Sequence, residues 1–490
     1  MSTEREAADL LGELEDRTEP LKARDRLAIP PQEMPQQDPT LRRENIREVA
    51  LGYTEEQALL EANRCLQCKN APCVKGCPVA IDIPGFIRRI AERDYQGAVN
   101  IIKKTSLLPA VCGRVCPQEV QCQLTCTAGR SLKDAAKAVS VGRLERFVAD
   151  WERQTGRSQI PEVAPETGRK VAVVGSGPAG LVVAADLRRA GHSVTIFEAF
   201  HKPGGVMVYG IPEFRLPKRI VQKEIDTLTA MGVEIRTDYV VGKSRRLTDL
   251  LEKDGFDAVF IGSGAGLPRF LGIPGENLVG VFSANEYLTR ANLMRAYDRG
   301  RSETPIYVSG RVAVLGGGNV AMDSARMALR LGAEEVSVIY RRTEKEMPAR
   351  MEEVARAKEE GIRMSFLQNA KRFLGDERGR VQAVECLRYR LGEPDDSGRR
   401  RPIPIPGSEF TVEVDTVVVA VGNDSNPLIP RTTEGLDVNP KGNIIVNEKG
   451  ETSLKRVYAG GDIVLGSATV ILAMGQGRRA AASINALLVE

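Results

Sequence analysis

The apolar positions change period about a third of the way along the chain. Before Lys170 they recur at helical spacing, and after it short β-branched runs alternate with helical ones. Thr54-Glu55-Glu56-Gln57 has the spacing of a capping box and opens a helix with Ala58, Leu59 and Ala62 that runs into Cys65. Residues 84–91, 95–103 and 135–151 also read as helices, and no strand-like run precedes Lys170. Residues 51–151 are therefore expected to be an all-α module. Residues 1–50, charged helical stretches broken by a Pro/Gln-rich segment, read as an N-terminal extension. Residues 152–169, with Pro161 and Pro165, read as a linker.

Beyond the linker the grammar is strand (170–174), glycine turn, helix (180–190), strand (193–197). It recurs as strand (311–315), glycine turn, helix (320–331), strand (336–340). This alternation predicts α/β architecture with two Rossmann-like units on parallel sheets. The first turn, Gly175-Ser176-Gly177-Pro178-Ala179-Gly180, is a complete G-x-G-x-x-G, whose glycines let backbone approach a pyrophosphate lying on the helix N-terminus. Glu198, ending the second strand, stands where a carboxylate can accept from ribose hydroxyls. An incidental glycine turn is the bland alternative. The second turn, Gly316-Gly317-Gly318-Asn319-Val320-Ala321, is the G-x-G-x-x-A variant, and its second strand ends in Tyr340-Arg341-Arg342. Guanidinium groups there favour a 2′-phosphate, hence NADP(H), over the alternative of an ordinary solvated basic pair. Near the C-terminus, Ala459-Gly460-Gly461-Asp462 is a strand end suited to a flavin's ribityl hydroxyls, and the helix expected over 468–477 could stabilise negative charge on a reduced flavin. Two apolar runs ending in glycine, 258–262 and 416–422, are further places where backbone can approach a dinucleotide.

Composition narrows the classes. At 490 residues the chain is long enough for two to four domains, and 42% apolar residues can bury real cores. A net charge of +4 is no nucleic-acid footprint. No apolar run is long enough to span a membrane and the first residues do not resemble a signal peptide, so a cytoplasmic location is expected. Two histidines make multi-imidazole chemistry improbable, and no side-chain general base is nominated. Cysteine is uneven: eight of nine lie between Cys65 and Cys126, spaced Cys65-x2-Cys68-x4-Cys73-x3-Cys77-Pro78 and Cys112-x3-Cys116-x5-Cys122-x3-Cys126. Clustered thiols without a secretory signal argue against disulfides. Two 4Fe–4S clusters lead and structural zinc is the alternative, because the first run is close to ferredoxin spacing, in which the Cys before Pro ligates the other cluster. Cys386 lies in an alternating stretch and reads as a core thiol.

The cysteine runs, Gly204-Gly205-Val206-Met207-Val208-Tyr209-Gly210-Ile211-Pro212-Glu213-Phe214-Arg215-Leu216-Pro217-Lys218, the second turn and Ala459-Gly460-Gly461-Asp462 together resemble the small subunit of bacterial NADPH-dependent glutamate synthase over roughly residues 50–490. Asn70-Ala71-Pro72-Cys73-Val74-Lys75-Gly76-Cys77-Pro78-Val79 looks closest to the branch containing the large subunit of NADH-dependent reduced ferredoxin:NADP oxidoreductase. The N-terminal half of dihydropyrimidine dehydrogenase shares the plan. The resemblance implies an NADP domain (286–410) inserted into an FAD domain (170–285 and 411–490). It implies that Cys65, Cys68, Cys73 and Cys126 hold one cluster, that Cys77, Cys116, Cys122 and Glu145 hold the other, and that Cys112 is unligated. It also implies FAD contacts from Pro178, Ala179, Glu198, Gly205, Arg215, Val240, Asp462, Thr469 and Val470. NADP(H) contacts are implied for Asn319, Val320, Arg341, Arg342, Ala420, Val421 and Gly422. Asp323 is expected to be structural. The implied activity moves electrons between NADP(H), FAD and two clusters. The partner is either a glutamate-forming subunit or a small flavin and iron–sulfur subunit, with ferredoxin as a further candidate. The reading of another class is a zinc-stapled, nucleotide-sensing interaction protein.

Overall fold

The computed structural model describes residues 2–306, 310–396 and 398–489. No strand precedes Lys170 among them. Helices Glu55–Asn63, Ile83–Ala91, Tyr95–Lys103, Pro109–Val115 and Val141–Gln154 enclose Phe86, Ile87, Ile90, Ile102 and Leu144. The capping box forms as spaced: the Thr54 hydroxyl accepts from the Gln57 N–H, and the Gln57 side chain accepts from the Thr54 N–H. Asp82 and Asp94 cap the next two helices by accepting from the Gly85 and Gly97 N–H groups.

The helix expected over 135–151 is split. A 3-10 turn covers Ala135–Lys137 and the α-helix starts at Val141. The carbonyls between are taken by side chains: Arg64 donates to Lys137 and Ala138, and Gln123 donates to Val139. The Ser140 N–H goes to Glu61. Helical pairing of these groups is pre-empted.

The N-terminal extension is tied down rather than arm-like. Ala7, Leu11 and Ile29 pack on Leu59 and Leu60, and the fully buried Arg42 donates to Glu359 and Glu360, more than 300 residues away. The linker lies along the end of the helix Pro178–Arg189, where the Ala164 N–H donates to the Arg189 carbonyl.

Two five-stranded parallel sheets follow. The first has the order Val457–Ala459, Ala258–Ile261, Lys170–Val174, Ser193–Phe197, Glu234–Arg236. The second has the order Val281–Ser283, Thr416–Val419, Arg311–Leu315, Glu335–Tyr340, Arg363–Phe366. The strands Val281–Ser283 and Thr416–Val419 fall on the far side of the expected changeovers at 285/286 and 410/411, yet both pair into the second sheet. The cause is burial: Val417 and Val418 are fully enclosed beside Arg311–Leu315, so this run is an inner strand. An antiparallel sheet built on Val381–Pro394 covers the second sheet, and its Cys386 is a core thiol packed near Ala313 and Leu315.

Candidate functional site

The first turn enters the site from a fully paired central strand, Lys170–Val174. Gly175 has φ +98°, and a Cβ on Gly180 would lie 2.0 Å from the Gly175 carbonyl oxygen, so the turn closes tightly only with glycine at both places. A Cβ on Gly177 would meet nothing within 4 Å: that face of the turn opens onto a cavity. Glu198 is buried and held in one orientation, Oε2 accepting from the Ser176 N–H at 3.0 Å and Oε1 from the Phe200 N–H at 2.8 Å. The Ser176 hydroxyl also donates to Glu198 and accepts from the Gly204 N–H. The loop after Gly204 thereby lies on the turn.

The cavity, about 2090 Å³ including its open mouth, is walled by Gly175, Gly177, Pro178, Ala179, Glu198, Gly205, Arg215, Val240, Gly461, Asp462, Thr469 and Val470. Asn319 and Val320 of the second turn line the same space, as do Val115 and Pro117 on either side of Cys116. Burial pushes the Asp462 carboxyl up to about 6, and Oδ1 accepts from the Ala468 N–H at 3.2 Å. Tyr209, Ser263 and Asn426 also line it, and the Ser263 hydroxyl is buried without a hydrogen-bond partner. Ser263 carried no sequence signal beyond its place after the glycine-ended run 258–262. An unpartnered hydroxyl beside open backbone is what a polar ligand would satisfy. Arg215 spends its guanidinium on Asp323, at 2.7–2.8 Å, while still forming part of the wall. Asp323 is thus an ion-pair partner, as expected.

At the second turn Gly316 has φ +144°, and a Cβ there would lie 2.3 Å from the Ala420 carbonyl oxygen, so the strand end 420–422 abuts the turn. Gly318 faces outward with only Pro348 at 3.9 Å from a Cβ. The two arginines part company. Arg341 is exposed, with no hydrogen bond or ion pair among the described residues. Arg342 is buried, donating to Asp395 at 2.6 Å and to the Arg400 carbonyl at 2.7 Å. Its expected role beside Arg341 is corrected accordingly: just past the strand end at Tyr340, its guanidinium is taken up by Asp395 and the Arg400 carbonyl of the antiparallel sheet.

The thiols form two sets. Cys65, Cys68, Cys73 and Cys126 surround one cavity whose other walls are apolar, among them Ile83, Ile87 and Val141, apart from Thr127, whose hydroxyl accepts from the Cys68 thiol at 3.3 Å. Gln67 and Ala71 have φ of +50° and +32°, left-handed values that bend the loop around this space. No three His, Cys, Asp or Glu side chains among the described residues are gathered to hold a single metal ion. The four thiols enclose a volume instead, which suits a cluster. In the second set, Glu145 is buried beside Cys77, Cys116 and Cys122. Burial alone pushes its carboxyl up to about 8, and Oε1 has no hydrogen-bond partner. Cys112 is fully buried next to Cys116, with its Sγ 3.6 Å from Met474 Sδ and 3.9 Å from the Ser106 hydroxyl. Thiols and one buried, unpartnered carboxylate are a donor set that fits an iron–sulfur cluster.

Residues 42–157 match the family described as dihydropyrimidine dehydrogenase domain II, 4Fe-4S cluster. Residues 169–477 match the pyridine nucleotide-disulphide oxidoreductase family. The glutamate synthase [NADPH] small chain of Halomonas elongata is 37% identical over 448 residues, 90% of this chain and 93% of that one. The NADP(+)-dependent formate dehydrogenase subunit beta of Moorella thermoacetica is 40% identical over 442 residues, 85% of this chain and 60% of that subunit. FprA of Mycobacterium tuberculosis, solved in complex with NADPH, matches in fold over 66% of this chain and 84% of its own, with a TM-score of 0.53 at 22% identity. No helix among the described residues is long and apolar enough to cross a membrane. A 4Fe–4S domain, two glycine turns sharing one cavity and these relatives together make the chain a member of the glutamate synthase small-chain family, an NADPH-dependent FAD and iron–sulfur oxidoreductase of the pyridine nucleotide-disulphide oxidoreductase class.

Proposed function

We propose that this chain relays electrons between NADP(H), FAD and two 4Fe–4S clusters, as the reductase component of a multi-subunit enzyme in the cytoplasm. The observation that carries the reading is the single cavity walled by the first turn, by Asn319 of the second turn and by Val115 and Pro117 around Cys116. A flavin held there would supply hydride exchange with a nicotinamide and one-electron exchange with the clusters, chemistry that is the cofactors' own. The FAD unit is taken as residues 170–280 and 420–490, with the NADP unit 281–419 inserted, following the strand order of the two sheets.

The chain's residues bind and orient. The N-terminus of the helix Pro178–Arg189 would hold the FAD pyrophosphate, Glu198 would accept from its ribose hydroxyls, and Asp462 would hold its ribityl chain. Gly205 and Val240 line the flavin, and Thr469 and Val470 offer it a helix N-terminus. Arg341 takes the 2′-phosphate of NADP(H), while Arg342 braces the strand end beneath it. Cys65, Cys68, Cys73 and Cys126 hold the outer cluster. Cys77, Cys116, Cys122 and Glu145 would hold the inner one, a reading supported by the orphaned Glu145 oxygen, while Cys112, hydrogen-bonded to Cys116, stands beside the same set.

Anaerobically purified protein tests this. Flavin and iron content should match one FAD and two 4Fe–4S clusters per chain, with a visible spectrum bleached by dithionite. Zinc in place of iron would overturn the reading. Cys112→Ser should keep both clusters, whereas Glu145→Ala should alter the potential and paramagnetic signal of one cluster only. A missing cluster in Cys112→Ser would reverse the ligand assignment. The chain that co-purifies identifies the partner. A glutamate-forming subunit and a small flavin and iron–sulfur subunit are the two outcomes, and the formate dehydrogenase relative bears on the choice because its name carries no glutamate chemistry.

A further inference from the structure

Arg350 bridges the second nucleotide turn and the loop that carries the inner thiols. Its backbone N–H donates to Asn319 Oδ1 at 3.0 Å, and Asn319 lines the cofactor cavity at the start of the helix Asn319–Arg330. The preceding Ala349 N–H donates to the Gly317 carbonyl. On the other side, the Arg350 guanidinium donates to the Arg114 carbonyl, Gln118 Oε1 and Glu119 Oε1, each at 3.2 Å. Gln118 is itself wired to the thiols: its N–H donates to the Cys116 carbonyl, its amide to the Cys112 carbonyl, and its carbonyl accepts from Gln121 and Gln123, which flank Cys122. Its side chain also lies on Gly142, where a Cβ would come within 2.0 Å of it, three residues before Glu145.

No other residue described above touches both ends of this path. Arg350 is only 11% exposed, so its hydrogen bonds are shielded from competing water. A planar guanidinium with three acceptors on one side transmits a displacement of residue 350 as a unit. We infer that Arg350 is a positioning residue that couples nucleotide occupancy at Asn319 to the geometry of the Cys116–Cys122 loop. The inference rests on the cofactor reading above. It adds that the two sites share binding free energy, and such coupling is reciprocal: nucleotide must then bind the oxidised and the reduced inner cluster with different affinity.

The test uses holoenzyme and a redox-inert NADPH analogue with a saturated nicotinamide ring. Its affinity is measured for oxidised and for dithionite-reduced protein, and the inner cluster is titrated by paramagnetic resonance with and without it. The expected difference is about fivefold or more in affinity. A tenfold difference would appear as about 59 mV in a one-electron couple. Arg350→Gln should abolish the difference at full flavin and iron content, and Arg350→Lys should restore part of it. Should Arg350→Gln not fold, Glu119→Gln weakens one contact only and should reduce the difference. Equal affinities in the wild type, or a difference undiminished in Arg350→Gln or Glu119→Gln, would overturn the coupling. Absence of iron or flavin from the wild type would instead overturn the cofactor reading, together with the coupling that rests on it.

Discussion

The two nucleotide units share one frame, strand, glycine turn, helix, strand, and differ at the side chains that end their second strands. In the first unit a single carboxylate, Glu198, is fixed by Ser176 and by the Phe200 N–H. In the second, one arginine of the pair is free and the other is structural. On the proposed reading the shared backbone serves the pyrophosphate common to both cofactors, while one side chain per unit, the buried Glu198 and the exposed Arg341, distinguishes what lies beyond it. The second unit is also fastened differently. Glu360 lies between Arg42, Arg326 and Arg330, wholly buried, and Arg215 reaches across from the flavin loop to Asp323. The first unit packs by apolar contact, helix Pro178–Arg189 against helix Val470–Val489, whereas the second adds buried ion pairs to its apolar core.

The largest contrast is expected between turn glycines. In Gly180→Ala the methyl group meets the Gly175 carbonyl at 2.0 Å, so the purified protein should lack flavin, read from its absorbance. Gly318→Ala has room, and should keep flavin and show only a modest rise in KM for NADPH. Full flavin content in Gly180→Ala would break the assignment of the first unit.

Next in size is the ion-pair fastening. Burial raises the Glu360 carboxyl, but Arg326 and Arg330 outweigh it and hold it down at about 2. Since that is below the unfolded value near 4.3, the stabilisation is present at neutral pH and is lost as pH falls from about 4.3 toward 2. Glu360→Gln should therefore cost about 3–5 kcal/mol at pH 7 in denaturant titrations, and roughly half as much at pH 3. Asp462 in the flavin unit has the opposite sign. Its carboxyl is raised to about 6, so its ionised form disfavours the fold, and flavin-free Asp462→Asn should gain stability at pH 7 and gain less near pH 5, where the folded carboxyl is largely protonated. A Glu360→Gln penalty independent of pH would show that packing, not charge, fastens the second unit.

The smallest effect separates the two arginines. Arg341→Ala should forfeit about 1.5–3 kcal/mol of charge-assisted binding, roughly ten- to hundredfold in KM for NADPH, with NADH unaffected. Arg342→Ala should lower the thermal midpoint and impair both nucleotides. Equal NADPH-selective losses would return Arg342 to the phosphate site.

Much of this was legible because it is local. Both glycine turns, the capping box at Thr54 and the strands Lys170–Val174 and Arg311–Leu315 follow from residues within one or two turns of each other. What was not legible depends on distant partners. The split at 138–140 needs Arg64 and Gln123, the buried Arg42 needs Glu360, and the inward turn of Arg342 needs Asp395. The short strands Val281–Ser283 and Thr416–Val419 carry apolar runs that suit either sheet, and only pairing assigns them. Glu145 is singled out in the sequence by the family resemblance alone, since its spacing by itself is that of a solvated helix charge; its burial and unpartnered oxygen emerge only when two cysteine segments close around it.

The cofactor cavity draws its wall from three separately built parts of the chain, the cysteine module, the first unit and the second. Flavin can therefore be retained only after all three have docked. Bound flavin, measured as FAD released from the protein, reports assembly of all three parts, and a variant damaged in any one of them should lose FAD and activity together.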